Sequence, residues 1–377
     1  MNIVTAINKG YIQHFCSMAS SVISNNSNEE INFFVIHMDL DIEDQEYIKY
    51  SLKSINIKNV SILFIVFESK LLDLMPVDTG IFTSAAMYRI YLEDILPLEI
   101  NKVLYLDSDI IVNDNLTELY NTDIDEYYIA AVEDFHEFHS LHILDNKRDY
   151  FNSGVLLINL KKWRDDNFLR KCVEYTNINF DKIILPDQDI LNGTLNGNWK
   201  RLGVNWNVTT LIFNNDVIFE DLGITKDVQK AKDNPSIIHY TTIYKPWKFI
   251  TKHPFKDRYF YFLDKTNYEY EKYPEITKFN LNKFIIFGAS NNGIDILDKI
   301  SNLPITVLGF SDNDEQKWGS TILGLKVYPP TELSKGVGIK VIIASQYRSE
   351  ISDQLESMGL RRNVNYYYSF EDFISCF

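Results

Sequence analysis

Two carboxylates, Asp107 and Asp109, interrupt the apolar run "KVLYLDSDIIV" of Lys102 to Val112. On an extended chain, residues i and i+2 leave the same face with Cα atoms about 6 to 7 Å apart, so both acids would enter one space. Like charges at that range raise each other's pKa unless a cation stands between them. A divalent ion meets the need, because Mg²⁺ and Mn²⁺ take oxygen ligands and tolerate a site shared with phosphates. The competing reading ends the strand at Leu106 and leaves the acids in a solvated turn. The two residues alone do not separate these readings.

The elements that must position the acids are read from periodicity. Apolar, β-branched runs alternate with helix-period segments, the pattern of an α/β sheet with crossover helices. Strands are expected at "NIVTAI", "INFFVIHM", "VSILFIVF", "KVLYL", "YIAAV", "VLLINL" and "SIIHY", and helices at Tyr11 to Ser24, Asp41 to Ile55 and Ala85 to Leu92. Near Leu263 the chain becomes polar and tyrosine-rich, "DKTNYEYEKYPEITKFNLNK", and Pro274 breaks any helix. This predicts a first domain over 1–263, a linker over 264–282 and a second domain over 283–377.

The second domain opens with "KFIIFGASNNGIDILDKI" and continues to "ITVLGFSDND", a strand, a glycine turn, a helix and a strand. Gly288 and Gly293 suit a turn that aims helix N–H groups at a phosphate, with Asp312 meeting a ribose hydroxyl. Ser290 stands where the dinucleotide fingerprint wants a second glycine, and about a hundred residues is short for two mononucleotide-binding halves. A small Rossmann-like scaffold or interaction module is the expectation.

A chain of 377 residues fits two domains. Its 37 Lys and Arg against 52 Asp and Glu, a net charge of -15, argue against nucleic acid as partner and against docking on an anionic membrane by charge. "MNIVTAINKGY" lacks the basic start of a signal peptide, and no apolar run approaches the roughly 18 residues of a membrane span. Cys16, Cys172 and Cys376 have no paired-ligand spacing, so a reduced compartment without structural zinc is expected.

Four further segments join the acidic strand in a fixed order. "MYRIYLEDILP" precedes it, "YFNSGVLLINLKKWR" and "LPDQDILN" follow it, and "IIHYTTIYKPWK" closes the first domain. This ordered set resembles retaining glycosyltransferase family 8, to which bacterial lipooligosaccharide galactosyl- and glucosyltransferases belong. The resemblance covers residues 1 to about 255. It implies a GT-A fold with a mixed central sheet, a UDP-sugar donor, and Mn²⁺ or alternatively Mg²⁺ as cofactor. It also implies roles. Asp107, Asp109 and His239 would hold the metal, with Ser108 between the acids facing the donor. Lys245 would meet the diphosphate, and Arg89 a phosphate or the sugar. Asn152 and Asp187 would bind sugar hydroxyls, Gln188 would stand beside the anomeric carbon, and Ala6, Asn8 and Tyr11 would address and stack on uracil. The chain departs from the family pattern at Asn8, more often Asp, and at Thr242, usually glycine.

Taken singly, these residues have plainer readings. His239 suits a core histidine, Lys245 a solvated cation, Arg89 a surface ion pair, Gly154 a bulge, and Pro186 with Asp187 the first turn of a helix. The reaction needs them together. Transfer from UDP builds negative charge on the leaving diphosphate, so cations must face its oxygens. Retention would call for a carboxylate nucleophile at the anomeric carbon, but Gln188 is an amide. Same-face attack is therefore expected, with the departing phosphate taking the proton of the acceptor hydroxyl. Glu133 to Tyr150, carrying His136, His139 and His142, is read as an acceptor lid rather than a metal face.

The resulting expectation is a hexosyltransferase moving galactose or glucose to a glycan, glycolipid or glycoprotein, in the bacterial cytoplasm or peripheral at the inner face of the membrane. The second domain would serve a protein partner or self-association. The alternative is a catalytically inactive sugar-nucleotide-binding or scaffold protein of glycan assembly. A nucleotidyltransferase would need a glycine-rich loop that "AINKGY" does not supply. A nicotinamide-dependent oxidoreductase would need a full fingerprint and a Tyr-x-x-x-Lys pair in the second domain.

Overall fold

The computed structural model describes residues 1–55, 58–75, 84–135, 143–144, 146–213, 225–242, 245–249, 251–274, 283–301, 303, 305–334 and 338–375. The chain divides into two compact units, one of Met1–Lys245 with His253–Tyr270, the other of Pro246–Lys252 with Glu271–Phe377.

The strands of the first unit are β1 (Asn2–Ala6), β2 (Ile31–His37), β3 (Val60–Val66), β4 (Lys102–Leu106), β5 (Ile110–Val112), β6 (Ile129–Glu133), β7 (Phe151–Asn159), β8 (Lys200–Arg201), β9 (Val208–Thr209) and β10 (Ile237–His239); the seven expected strands are among them, and the short β5, β8 and β9 are additional. The main sheet runs β3-β2-β1-β4-β7-β6-β8. β1 is parallel to both β2 and β4, whereas β7 is antiparallel to β4 and β6, so the sheet is mixed. Its central strands are covered on both faces, which is why "VLLI" in β7 is a continuous apolar run instead of an alternating one. Val4, Ile36, Tyr91, Tyr105, Leu156 and Ile190 are among the buried side chains of this core.

Helix α1 (Ile12–Asn25) and helix α2 (Ile42–Leu52) follow β1 and β2, and Asp41 with Asp44 closes a capping box at the start of α2. The segment expected as a helix from Ala85 to Leu92 differs in kind. Ser84–Tyr91 is a 3₁₀ helix that becomes α-helical only over Leu92–Ile95. In the tighter turn Arg89 Nε reaches the carbonyl of Ala86, three residues back, at 3.1 Å.

β4 does end at Leu106, and the acids do not continue an extended chain. Asp107 N still donates to Gly154 O at 2.9 Å; Ser108 and Asp109 then turn, and Tyr240 N donates to Asp109 O at 3.0 Å. The chain resumes as β5 in a second sheet, ordered β5-β10-β9. The acids thus occupy a short passage from one sheet to the other, held by a backbone bond at each end, and neither expectation for this stretch was complete.

The second unit carries β11 (Lys283–Phe287), β12 (Thr306–Ser311), β13 (Thr321–Ile322), β14 (Leu325–Tyr328), β15 (Ile339–Ile343) and β16 (Tyr366–Tyr367) in the order β13-β14-β12-β11-β15-β16. All neighbours are parallel except β13 with β14. The glycines of its first turn answer to packing. A Cβ on Gly288, whose φ is +126°, would lie 2.6 Å from Ala344 O, and one on Gly293 would lie 2.0 Å from Gly288 O. Asp312 bonds within its own surroundings, accepting from Ala289 N at 2.8 Å and Lys317 Nζ at 3.0 Å. No described helix is long and apolar enough to cross a membrane.

Candidate active site

The passage between the two sheets brings Asp107 and Asp109 to His239 at the end of β10. His239 Nε2 lies 3.3 Å from Asp109 Oδ1 and 3.8 Å from Asp107 Oδ2, and one ligand atom from each of the three residues falls within 4.8 Å of the others. Two carboxylates and an imidazole suit a cation that takes mainly oxygen, such as Mn²⁺. Gly154 forms the floor of this cluster. A Cβ there would stand 2.2 Å from His239 Cε1 and 2.8 Å from Asp107 Oδ2, so the missing side chain is what lets the metal residues approach the strand.

Cations balance the acids from two sides. Lys245 Nζ lies 2.5 Å from Asp109 Oδ2 and donates to Tyr240 O at 2.6 Å. Burial opposes ionisation of Asp109, but Lys245 and His239 outweigh it and hold the carboxyl well below the usual range. For Asp107, burial prevails and pushes the carboxyl up, although Arg89 works against it. The buried Arg89 guanidinium spans two acids, with Nη2 2.7 Å from Asp107 Oδ1 and Nε 3.2 Å from Asp187 Oδ2. Nη1 donates to Ser153 O at 2.6 Å, and Cζ lies 4.4 Å from the centre of the Tyr105 ring. Arg89 therefore ties the metal residues to the next wall of the site.

That wall is β7 against the helix Pro186–Leu195. Pro186 opens the helix, and Asp189 ties down the chain just before it, its Oδ2 accepting from Ile184 N at 2.7 Å and Leu185 N at 2.8 Å. Asp187 and Gln188 are thus left to face β7. Asp187 Oδ2 accepts from Ser153 Oγ at 2.8 Å. Gln188 Oε1 accepts from Ser153 N at 3.0 Å and Asn152 Nδ2 at 3.3 Å, while its Nε2 donates to Asp134 Oδ2 at 2.8 Å. Asp134, Asn152, Ser153, Asp187 and Gln188 are all buried.

The loop after β1 supplies the third side. Ala6 ends the strand, Asn8 is extended, and Lys9–Tyr11 form one 3₁₀ turn before α1. Lys9 N donates to both Asp39 oxygens, at 3.1 and 3.0 Å, which fixes the loop. Tyr11 packs edge-on to His14, ring centres 5.1 Å apart. Burial, then the charges of Asp109 and Asp107, push its hydroxyl up to about 12, so the ring stands within electrostatic reach of the acids. Ser108 is buried between the acids. Thr242 has φ +74°, a conformation costly for a β-branched residue, at the place where the family pattern has glycine.

The structure therefore gathers Arg89, Asp107, Asp109, Asn152, Asp187, Gln188, His239 and Lys245 into one contact network. It adds four residues the sequence reading passed over as site residues. Ser153 lies inside the quoted "FNSG", Asp134 inside the segment read as a lid, and Tyr105, whose hydroxyl donates to Asp107 Oδ1 at 3.1 Å, inside "KVLYL". Asn207, between Asn152 and His239, carried no signal in "LGVNWNVTT". His136, His139 and His142 lie outside the described residues.

The chain is similar to known proteins along most of its length. The model of the family described as Glycosyl transferase family 8 matches residues 2–251, and that of the family C2185-like, N-terminal, matches residues 280–364. General stress protein A of Bacillus subtilis (strain 168) is 31% identical over 276 residues, 71% of this chain and 94% of that protein. Glycosyltransferase GlyA of Streptococcus pneumoniae serotype 4 is 28% identical over 269 residues, 69% of this chain but 34% of that longer protein. Among solved structures, galactosyltransferase LgtC in complex with donor and acceptor sugar analogs superposes with a TM-score of 0.64 at 26% identity, over 72% of this chain and 98% of that one. The first unit has the GT-A fold of that enzyme.

Proposed function

Because the chain belongs to glycosyltransferase family 8, we propose that it is a retaining hexosyltransferase that takes galactose or glucose from a UDP-sugar, with Mn²⁺, and passes it to a glycan, glycolipid or glycoprotein. The observation that carries this reading is the continuity of the site: Arg89 links a carboxylate of the Asp107–Asp109–His239 cluster to Asp187, beside Gln188. A diphosphate facing the cluster would present its sugar to that wall.

Mn²⁺ held by Asp107, Asp109 and His239 would act as a Lewis acid on the diphosphate oxygens. Lys245 adds a point charge on the same side and offsets the charge that develops on the leaving phosphate. Asp187 accepts hydrogen bonds from sugar hydroxyls, charge-assisted and so stronger than neutral ones. Asn152 both donates and accepts, which suits hydroxyl recognition. The Gln188 amide, held by Ser153 and Asp134, orients the anomeric centre and stabilises its developing positive charge. The acceptor hydroxyl then attacks the anomeric carbon from the face the phosphate leaves. Its oxygen forms the new glycosidic bond as the bond from carbon to phosphate oxygen breaks, and the departing phosphate takes the hydroxyl proton.

A screen of UDP-sugars for Mn²⁺-dependent hydrolysis, followed by anomeric NMR of the transferred product, tests the reading. An α-linked product from one hexose donor is expected. A large axial coupling in a galactose or glucose product would mean inversion and overturn the mechanism.

A further inference from the structure

Asn207 sits in the loop before β9, 1% exposed, and belongs neither to the residues proposed to face the donor's phosphates nor to those proposed to face its sugar. It nevertheless joins them. His239 Nδ1 is 3.0 Å from Asn207 Oδ1, Asn207 Nδ2 donates to Asn152 Oδ1 at 2.8 Å, Asn152 Nδ2 donates to Gln188 Oε1 at 3.3 Å, and Gln188 Nε2 donates to Asp134 Oδ2 at 2.8 Å.

The direction of this chain is not a matter of choice among amide orientations, because the main chain sets it. Gly154 N donates to Asn152 Oδ1 at 3.1 Å and Ser153 N donates to Gln188 Oε1 at 3.0 Å. Backbone N–H groups cannot flip, so both amide oxygens must face them. With Asn152 Oδ1 held as acceptor, Asn207 must turn its nitrogen toward it and its oxygen toward His239. His239 must then carry a proton on Nδ1, so that in the neutral, metal-ligating form of the ring the Nε2 lone pair faces Asp107 and Asp109. A metal-ligating histidine ordinarily has its tautomer fixed by a partner on the other ring nitrogen.

Resting on the site reading above, we propose that Asn207 is a positioning residue that sets the tautomer and ring orientation of His239 and couples them to the amide orientations of Asn152 and Gln188. Metal residues and sugar residues are thereby held in one hydrogen-bonded register.

Two substitutions separate its two bonds. Asn207→Leu keeps the approximate volume and removes both. Asn207→Asp keeps an acceptor for His239 but sets oxygen against oxygen at Asn152. Mn²⁺ affinity is measured by electron paramagnetic resonance titration without sugar nucleotide, and the sugar contribution by the ratio of UDP-hexose to UDP affinity in calorimetry, using the hexose that the wild type hydrolyses. Asn207→Leu should bind Mn²⁺ about 10- to 100-fold more weakly. Asn207→Asp should bind Mn²⁺ at least as tightly as the wild type yet lose about tenfold in the UDP-hexose to UDP ratio. If Leu at this site prevents folding, as read by circular dichroism, the split shown by Asn207→Asp decides alone. Equal loss at both ends in Asn207→Asp, or no loss at either end in any folded variant, overturns the proposal. A wild type that binds no Mn²⁺ overturns the site reading itself, and the coupling with it.

Discussion

Lys245 Nζ rests 2.5 Å from Asp109 Oδ2, so the cation proposed to meet the diphosphate is paired with a carboxylate proposed to meet the metal. The lysine stabilises that carboxylate against its neighbour Asp107. In Lys245→Met this repulsion loses its nearest counter-charge, and an added divalent ion has more to relieve. The rise in melting temperature on adding Mn²⁺ should therefore be larger in the variant than in the wild type. Donor hydrolysis should fall about 10²- to 10³-fold, the usual loss of one group that stabilises developing charge. Wild-type turnover in Lys245→Met would contradict the assignment.

Arg89 is buried against Asp107 and Asp187, so Arg89→Met leaves two carboxylates without their shared partner. Breaking such a pair from one side costs about 3 to 5 kcal/mol. Urea denaturation should show that loss, and adding Asp187→Leu to the same chain should recover part of it. A stability change near zero in the single variant would mean that the pair is solvated.

Gly154→Ala puts a methyl group 2.2 Å from His239 Cε1. The strand tolerates alanine, whereas the imidazole must move. Secondary structure should persist by circular dichroism while Mn²⁺ affinity drops about tenfold or more, comparable to disturbing a partner of a metal ligand. Unchanged affinity would return Gly154 to the role of a simple bulge.

His253 is enclosed by the rings of Phe213, Tyr240 and Phe255, and burial pushes its imidazole down to about 4. The unfolded chain binds this proton near pH 6.5 and the folded chain does not. Its stabilising share is complete above about pH 6.5 and is lost as pH falls toward 4, at no more than about 1.4 kcal/mol per pH unit. His253→Phe should flatten the decline in melting temperature across that window. An unaltered slope would place the imidazole in solvent.

Much of the fold was legible because periodicity is local. Each apolar run from "NIVTAI" to "SIIHY" became a strand, since an apolar β-branched stretch bounded by turn residues needs only its own pattern to be recognised. The order of five segments was enough to indicate the chemistry, because residue types along the chain carry it. The tertiary structure alone decided how those residues meet. Asp107 and Asp109 converge because the chain passes between two sheets, not because an extended strand aims them. Gln188 finds Asp134 across 54 positions, Asn207 finds Asn152 across 55, and Lys245 finds Asp109 across 136. Polar contacts at such separations leave no periodic trace. They follow from strand order and from the requirement that each buried amide, carboxylate and guanidinium be paired, conditions that exist only once the sheets have formed.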